Sequence, residues 1–211
     1  MKNIVISSIY FLGRISNFIL PVSVTNKMEN SFHIFYSARK SRSLRGSKDR
    51  ILMKYPAYTL GEKYISIGKN FRSSYRFRIE AWDNYNHLTF SPSIIIGDNV
   101  SFSDNCHIGA IGSIKIGNNV LVGSNVYITD HYHGDTTSEY MSISPIKRDL
   151  ITKGEVVICD NVWIGDGVVI LPNVRIGHSC IIGANSVLTK SFPDNCIIAG
   201  VPAKIIKVNK P

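Results

Sequence analysis

The stretch that decides the fold runs from Asn161 to Leu188, NVWIGDGVVILPNVRIGHSCIIGANSVL. Val162, Val168, Val174, Cys180 and Ser186 recur every six residues, and Ile164, Ile170, Ile176, Ile182 and Leu188 repeat the spacing two positions later. A period of six matches neither the 3.6-residue helix nor a strand alternating without turns. It matches a short strand and a corner laid down repeatedly, which is a hexapeptide-type parallel β-helix. One such rung cannot bury its own apolar side chain, so rungs must stack and line the interior with aliphatic ladders. Asn99, Asn119, Asn125, Asn161, Asn173 and Asn185 stand where the corners need positive φ, a conformation that Gly and Asn reach at least cost. An antiparallel sandwich would need hairpin turn signals between longer alternating strands, and these are absent here.

The same hexads continue upstream, through Ile96, Phe102, Ile108 and Ile114 and then Ile116, Val122 and Ile128, with the phase slipping by two residues between Ile108 and Ile116. The ladder then stops at NVYITDHYHGDTT, residues 125–137, and returns in register at Ile158. Two histidines, His131 and His133, stand at the break. A long excursion inside a compact domain is usually functional or disordered. The expected layout is a basic, partly helical segment over 1–60, the coil over 61–190 with an excursion at 130–155, and a segment over 191–211 covering the coil end.

Charge is divided unevenly. Residues 1–90 hold 15 Lys/Arg against 5 Asp/Glu, a balance of +10, whereas residues 91–211 hold 9 against 10, a balance of −1. The densest basic run, 37–50, lacks the interleaved aromatics of a single-strand platform, so no nucleic-acid partner is expected. A solvated basic face, an acidic acceptor and a membrane surface all fit it. The apolar start, residues 1–24, is interrupted by Arg14 and Asn17 and falls short of a spanning helix. It reads as a helix docked on the fold or on a neighbouring subunit, with peripheral membrane contact as the alternative. Cys106, Cys159, Cys180 and Cys196 form no CxxC pair and read as reduced core residues of a cytosolic protein.

Three motifs, NVWIG, IGANSVLTK and AGVPAKIIK, together with the histidine-containing loop, closely resemble the left-handed β-helix acetyltransferases. The likeness is to the branch of galactoside, maltose, antibiotic and surface-polysaccharide O-acetyltransferases, and it is clear from about Ser93 onward. It implies left-handed coils, a homotrimer with active sites between subunits, acetyl-CoA as donor and no metal. In this family a loop histidine is the general base, eight residues after the asparagine that opens its rung. Counting from Asn125 gives His133, with His131 as the second candidate and Asp130 able to orient either ring. The resemblance also implies that Trp163 borders the thioester, that Asp166 and Ala184 meet pantetheine, that Thr189 and Lys190 lie at the adenosine end, and that Lys204 and Lys207 face the phosphates. On the acceptor side Ser103 replaces a family Asn and Ile111 a family Asp, which argues against a simple galactoside. Asn105, His107 and Tyr132 are the remaining polar candidates, with Tyr140 and Lys147 on the excursion.

The activity implied is O-acetylation of a bacterial surface saccharide, an O-antigen or capsule unit. Its rivals are N-acetylation of a nucleotide-linked aminosugar or of a xenobiotic, a γ-carbonic-anhydrase-like zinc enzyme, and a silent hexapeptide scaffold.

Overall fold

The computed structural model describes residues 2–45 and 50–209, with the side chains of 2–4 and 17–19 and part of the basic run 37–50 outside the described residues. The chain is a left-handed parallel β-helix preceded by two helices and closed by an antiparallel hairpin. Short strands stack in register on three faces. Face 1 carries Leu52–Met53, Arg72–Ser73, Ser101–Phe102, Leu121–Val122, Trp163–Ile164, Ile181–Ile182 and Cys196–Gly200. Face 2 carries Ala57–Leu60, Phe77–Ala81, His107–Ala110, Tyr127–Thr129, Val169–Ile170 and Val187–Leu188. Face 3 carries Ile65–Ile67, Ser93–Ile96, Ser113–Ile116, Val156–Ile158 and Arg175–Ile176. The coil therefore starts at Leu52, ahead of position 61.

The interior is what the hexads predict. Ile79, Ile108, Ile128 and Ile170 stack as one buried ladder, and Ile67, Ile96, Ile116, Ile158 and Ile176 as another. The first turns are filled by Phe71, Phe77 and Phe102, whose ring centroids lie 5.0 to 6.0 Å apart. All six corner asparagines read from the sequence have φ between 56° and 64°. Their amides chain together across turns, Asn70 to Asn99 at 2.9 Å, Asn99 to Asn119 at 3.0 Å and Asn119 to Asn161 at 3.1 Å. All four cysteines are buried and unpaired, and burial pushes the Cys106 thiol up to about 11.

Ile158 and Ile176 are partners on face 3, so a regular turn consumes three hexads. The earlier partners on that face, Ile67–Ile96, Ile96–Ile116 and Ile116–Ile158, are all farther apart in sequence than one such turn. The excess appears each time at the same corner, between the end of a face 2 strand and the start of a face 3 strand, over 82–92, 111–112 and 130–155. Three irregularities are thus stacked at one edge of the coil. The first contains the hairpin Asn84–Tyr85 with Leu88–Thr89; the third is a hairpin arm pairing His131–His133 with Leu150–Thr152.

Of the two helices, α1 (Lys2–Ile19) and α2 (Val22–Ser41), α2 docks on the first rungs. The Met53 and Tyr55 amides donate to Ser37 Oγ (2.8 Å) and His33 Nδ1 (3.1 Å), and the Tyr36 hydroxyl donates to the Ala57 carbonyl (2.7 Å).

Candidate active site

The corner that leaves face 2 after Thr129 sets the site. Asp130 is fully buried, and its carboxylate accepts the Ile111 amide at 3.0 Å and the Gly112 amide at 2.7 Å. Those two residues are the extra pair that shifts the hexad phase one turn below. A side chain at Gly112 would put its Cβ 3.2 Å from Asp130 Oδ2, so the close approach favours glycine. Asp130 Oδ1 in turn lies 3.0 Å from His131 Nδ1, and Thr129 Oγ1 is 3.2 Å from the same nitrogen. His131 is largely buried, at 11% side-chain exposure, and is oriented by a carboxylate that is itself fixed.

His133 follows two residues later, so on this strand it projects from the same side as His131. Its ring meets Tyr85 edge-on, with centroids 5.6 Å apart and planes at 76°. Among the described residues that ring makes no hydrogen bond or ion pair. Burial, with the positive charge of His131 adding to it, holds its pKa below the ordinary imidazole value. The neutral ring, the form that can accept a proton, is therefore favoured at neutral pH. Tyr132 lies between the two histidines, and strand alternation sends it to the opposite side of the arm, where Lys153 sits over its ring. Tyr132 therefore contacts the arm's own Lys153 on the side away from the two histidines. Further out on the arm, Tyr140 on the short helix Ser138–Ser142 packs over Gly134, and Lys147 ends the turn Pro145–Lys147.

Beneath the arm, Glu80, Gly109 and Thr129 stand in register on face 2. Glu80 is 2% exposed and is bracketed by His107 Nε2 at 2.9 Å and Arg78 Nε at 2.8 Å. Burial pushes its carboxyl up, yet the hydrogen bonds from His107 and Arg78 outweigh this and hold it below the ordinary carboxylate value. A Cβ built on Gly109 would lie 3.4 Å from His131 Cε1 and 3.6 Å from His107 Nε2, so the missing side chain leaves room for both imidazoles beside it. His107 thus joins the histidine site.

Ser103 and Asn105 do not come to the histidines in one chain. They occupy the corner between faces 1 and 2, and the Asn105 amide is used on Asn125 Oδ1 at 3.1 Å, as another corner ladder. Asp166 is likewise a corner anchor: its carboxylate accepts the Ser124 amide at 2.7 Å. Asp98, Asp160 and Asp194 accept the Lys69, Asn118 and His178 amides in the same way.

The later motifs assemble differently. On the outside of face 1, Leu121, Trp163, Ile181, Ile197 and Lys207 form one row, each partnered to the next across adjacent strands. Trp163 is 53% exposed. The closing strand Ala203–Val208 is bulged opposite Ile197–Ile198, so Lys207 pairs with Ile197 and Lys204 with Ala199. Ile197 and Ala199 share a face, and the bulge therefore brings Lys204 and Lys207 to that same face. From the indole to Lys207 is three strand spacings, about 14 Å. Ala184 is exposed at the next corner, stacked so closely on Gly165 that a Cβ on that glycine would be 2.7 Å from the Ala184 nitrogen. Thr189 and Lys190 are exposed beyond Val187–Leu188, one corner further on. Among the described residues no three His, Cys, Asp or Glu side chains cluster as metal ligands.

Glu80, Arg78 and Tyr85 join the site without standing out in the sequence. An available signal was the spacing from Ile67 to Ile96, which exceeds one regular turn by nearly two hexads.

The bacterial transferase hexapeptide family (six repeats) matches residues 155–190, inside the coil. A protein of Escherichia coli K12 named as the lipopolysaccharide biosynthesis O-acetyl transferase WbbJ is 40% identical over 159 residues, covering 74% of this chain and 78% of the relative. The galactoside O-acetyltransferase of the same organism is 35% identical over 126 residues, 57% of each chain. Among solved structures, a galactoside acetyltransferase in complex with coenzyme A superposes with a TM-score of 0.50 at 28% identity, over 76% of this chain and 62% of the other. The Bacillus cereus N-acyltransferase AntD shares the fold, with a TM-score of 0.60 at 21% identity over 83% and 88%. With two fifths identity over more than three quarters of a named O-acetyl transferase and the hexapeptide repeat inside the coil, this chain belongs to the left-handed β-helix, hexapeptide-repeat acetyltransferases.

Proposed function

We propose that this enzyme transfers an acetyl group from acetyl-CoA to a hydroxyl of a bacterial surface saccharide, an O-antigen or capsule unit, with His133 as general base. The observation that carries the reading is the division of labour at the arm: His131 is tied to buried Asp130, while His133 has an unbonded, preferentially neutral ring on the same side. As the acceptor oxygen attacks the thioester carbonyl, His133 takes its proton, the new C–O bond forms, and the C–S bond breaks. The imidazolium then returns a proton to the departing thiolate. Neither an acyl-enzyme nor a metal is needed for this balance.

The row on face 1 supports the donor side. Trp163 supplies a flat apolar wall for the thioester end, Ile181 and Ile197 continue it, and Lys204 and Lys207 offer two cations to phosphates at its far end. Backbone at Ala184 remains accessible to an extended amide chain. Thr189 and Lys190 lie on another edge, and the Ser103 corner is separated from the histidines; a trimer in which adjacent copies share a site would unite these edges. The relative named for lipopolysaccharide biosynthesis supports the saccharide class. The Glu80–His107–Arg78 cluster under Gly109 is a polar floor suited to sugar hydroxyls. Incubating the purified protein with acetyl-CoA and the host's deacetylated surface polysaccharide, then reading the repeat unit by mass spectrometry, tests this. Gain of one acetyl per repeat, with release of free CoA thiol, is expected; CoA release without saccharide acetylation would remove the acceptor assignment.

A further inference from the structure

The two N-terminal helices divide into a docked side and an unused side. On α2, His33, Tyr36, Ser37 and Lys40 form the docked stripe, Lys40 Nζ completing it with a 2.7 Å bond to Thr59 Oγ1. Val24, Met28, Phe32, Phe35 and Arg39 follow the i, i+4, i+8, i+11, i+15 spacing of a second stripe, which 100° per residue turns about 130° away from the docked one, with Phe32 on its inner margin, edge-on to Tyr55 at 5.6 Å. The four apolar members are 40% to 62% exposed. On α1 every residue from Val5 to Ser16 is exposed, and among the described residues none of them bonds to the coil. Ile6, Ile9, Phe11, Leu12 and Ile15 are 41% to 64% exposed. Arg14 shares the narrow polar side with Ser7, and α1 contains no acidic residue.

From this we propose that α1 and the outer stripe of α2 seat the protein on an anionic lipid surface, with α1 lying in the interface plane. Charge decides between this and a second copy of the chain. Residues 1–50 hold nine Lys/Arg against two Asp/Glu, whereas residues 91–211 are nearly neutral. Exposed apolar side chains and unbalanced cations thus belong to the same segment, the combination that anionic headgroups over hydrocarbon satisfy. Two copies of that segment pressed together would set like charges against each other. No helix among the described residues is long and apolar enough to cross a membrane. The inference is independent of the acetyl-transfer reading.

Co-sedimentation of the full chain with extruded vesicles tests it, comparing phosphatidylcholine alone with phosphatidylcholine containing about one third phosphatidylglycerol. Binding to the anionic vesicles, weakened by salt, is expected. Arg14→Gln should lower the partition coefficient about fivefold, the worth of one cation at such a surface, and the double change Ile9→Asp, Leu12→Asp should abolish binding. Neither variant should alter the circular dichroism spectrum or transfer to a soluble acceptor. Equal binding to both vesicle types, or none to either, overturns the proposal. So does a change of light-scattering mass in the double variant without vesicle binding by the parent, which would make the face a subunit interface.

Discussion

Gly112 donates its backbone N–H to the carboxylate of Asp130 at 2.7 Å, and so ties a two-residue slip in one turn to the chain's departure in the next. The same carboxylate holds His131, which in turn helps keep His133 neutral. His131 is therefore a positioning residue in this account. His131→Gln removes the positive charge opposing protonation of His133 while burial continues to act, so the acid limb of the pH–rate profile should move upward toward the ordinary imidazole value of about 6.5. In the parent, kcat/KM should rise with pH through a midpoint below that value and be flat at neutrality. A purely structural His131 would lower activity without moving the limb.

Glu80 gives a stability test whose sign is fixed by its environment. Its folded pKa lies below the unfolded value, so the ionised cluster stabilises the fold above the unfolded pKa and that contribution is lost as pH falls through the folded pKa. Glu80→Gln should cost about 1–3 kcal/mol at neutral pH, measured by urea unfolding. The gap between parent and variant should close in acid.

The asparagine ladder predicts a different pattern. Asn119 has a φ of 56° and bonds on both sides, to Asn99 and Asn161. Asn119→Ala loses these bonds and forces a Cβ-bearing, nonpolar residue into the left-handed region, at about 1–2 kcal/mol. Asn119→Gly removes the backbone strain and should recover part of the loss in thermal melts.

The row ending in two lysines predicts a split between binding and chemistry. Replacing Lys204 and Lys207 together by Ala should raise the KM for acetyl-CoA by about tenfold or more and leave kcat near the parent value. Dephospho-CoA thioesters, lacking one phosphate, should show a smaller difference between parent and variant. An unchanged KM would remove both lysines from the donor site.

The coil was legible because each of its buried positions repeats every six residues, and Val162 to Leu188 display the repeat without interruption. His133 could be singled out from its spacing to Asn125 and the family likeness. Asp130 was named, although its choice of His131 over His133 depends on amides donated from the turn below, at Ile111 and Gly112. Such cross-turn partners stand a full turn away in sequence and have no local signature. Asp166 and Asn105 show the converse: corner residues bond to the neighbouring turn, and a side chain used there looks in sequence like one wholly available to a ligand. Lys204 and Lys207, three apart, would face opposite ways on a regular strand; only the bulge at Ile197–Ile198 unites them. The early turns hid Tyr85, since Phe71 and Phe77 share their interior with Ile67 and Ile79 and the hexad pattern is broken there.

The most direct measurement is single-turnover acetyl transfer to the saccharide acceptor by His133→Ala and by His131→Ala, with acetyl-CoA saturating and folding checked by thermal melt. A fall of about 10²- to 10⁴-fold in the chemical step is expected for His133→Ala, with acetyl-CoA binding retained, and a distinctly smaller fall for His131→Ala. Transfer at the parent rate by His133→Ala, or a larger loss in His131→Ala, would contradict His133 as the general base.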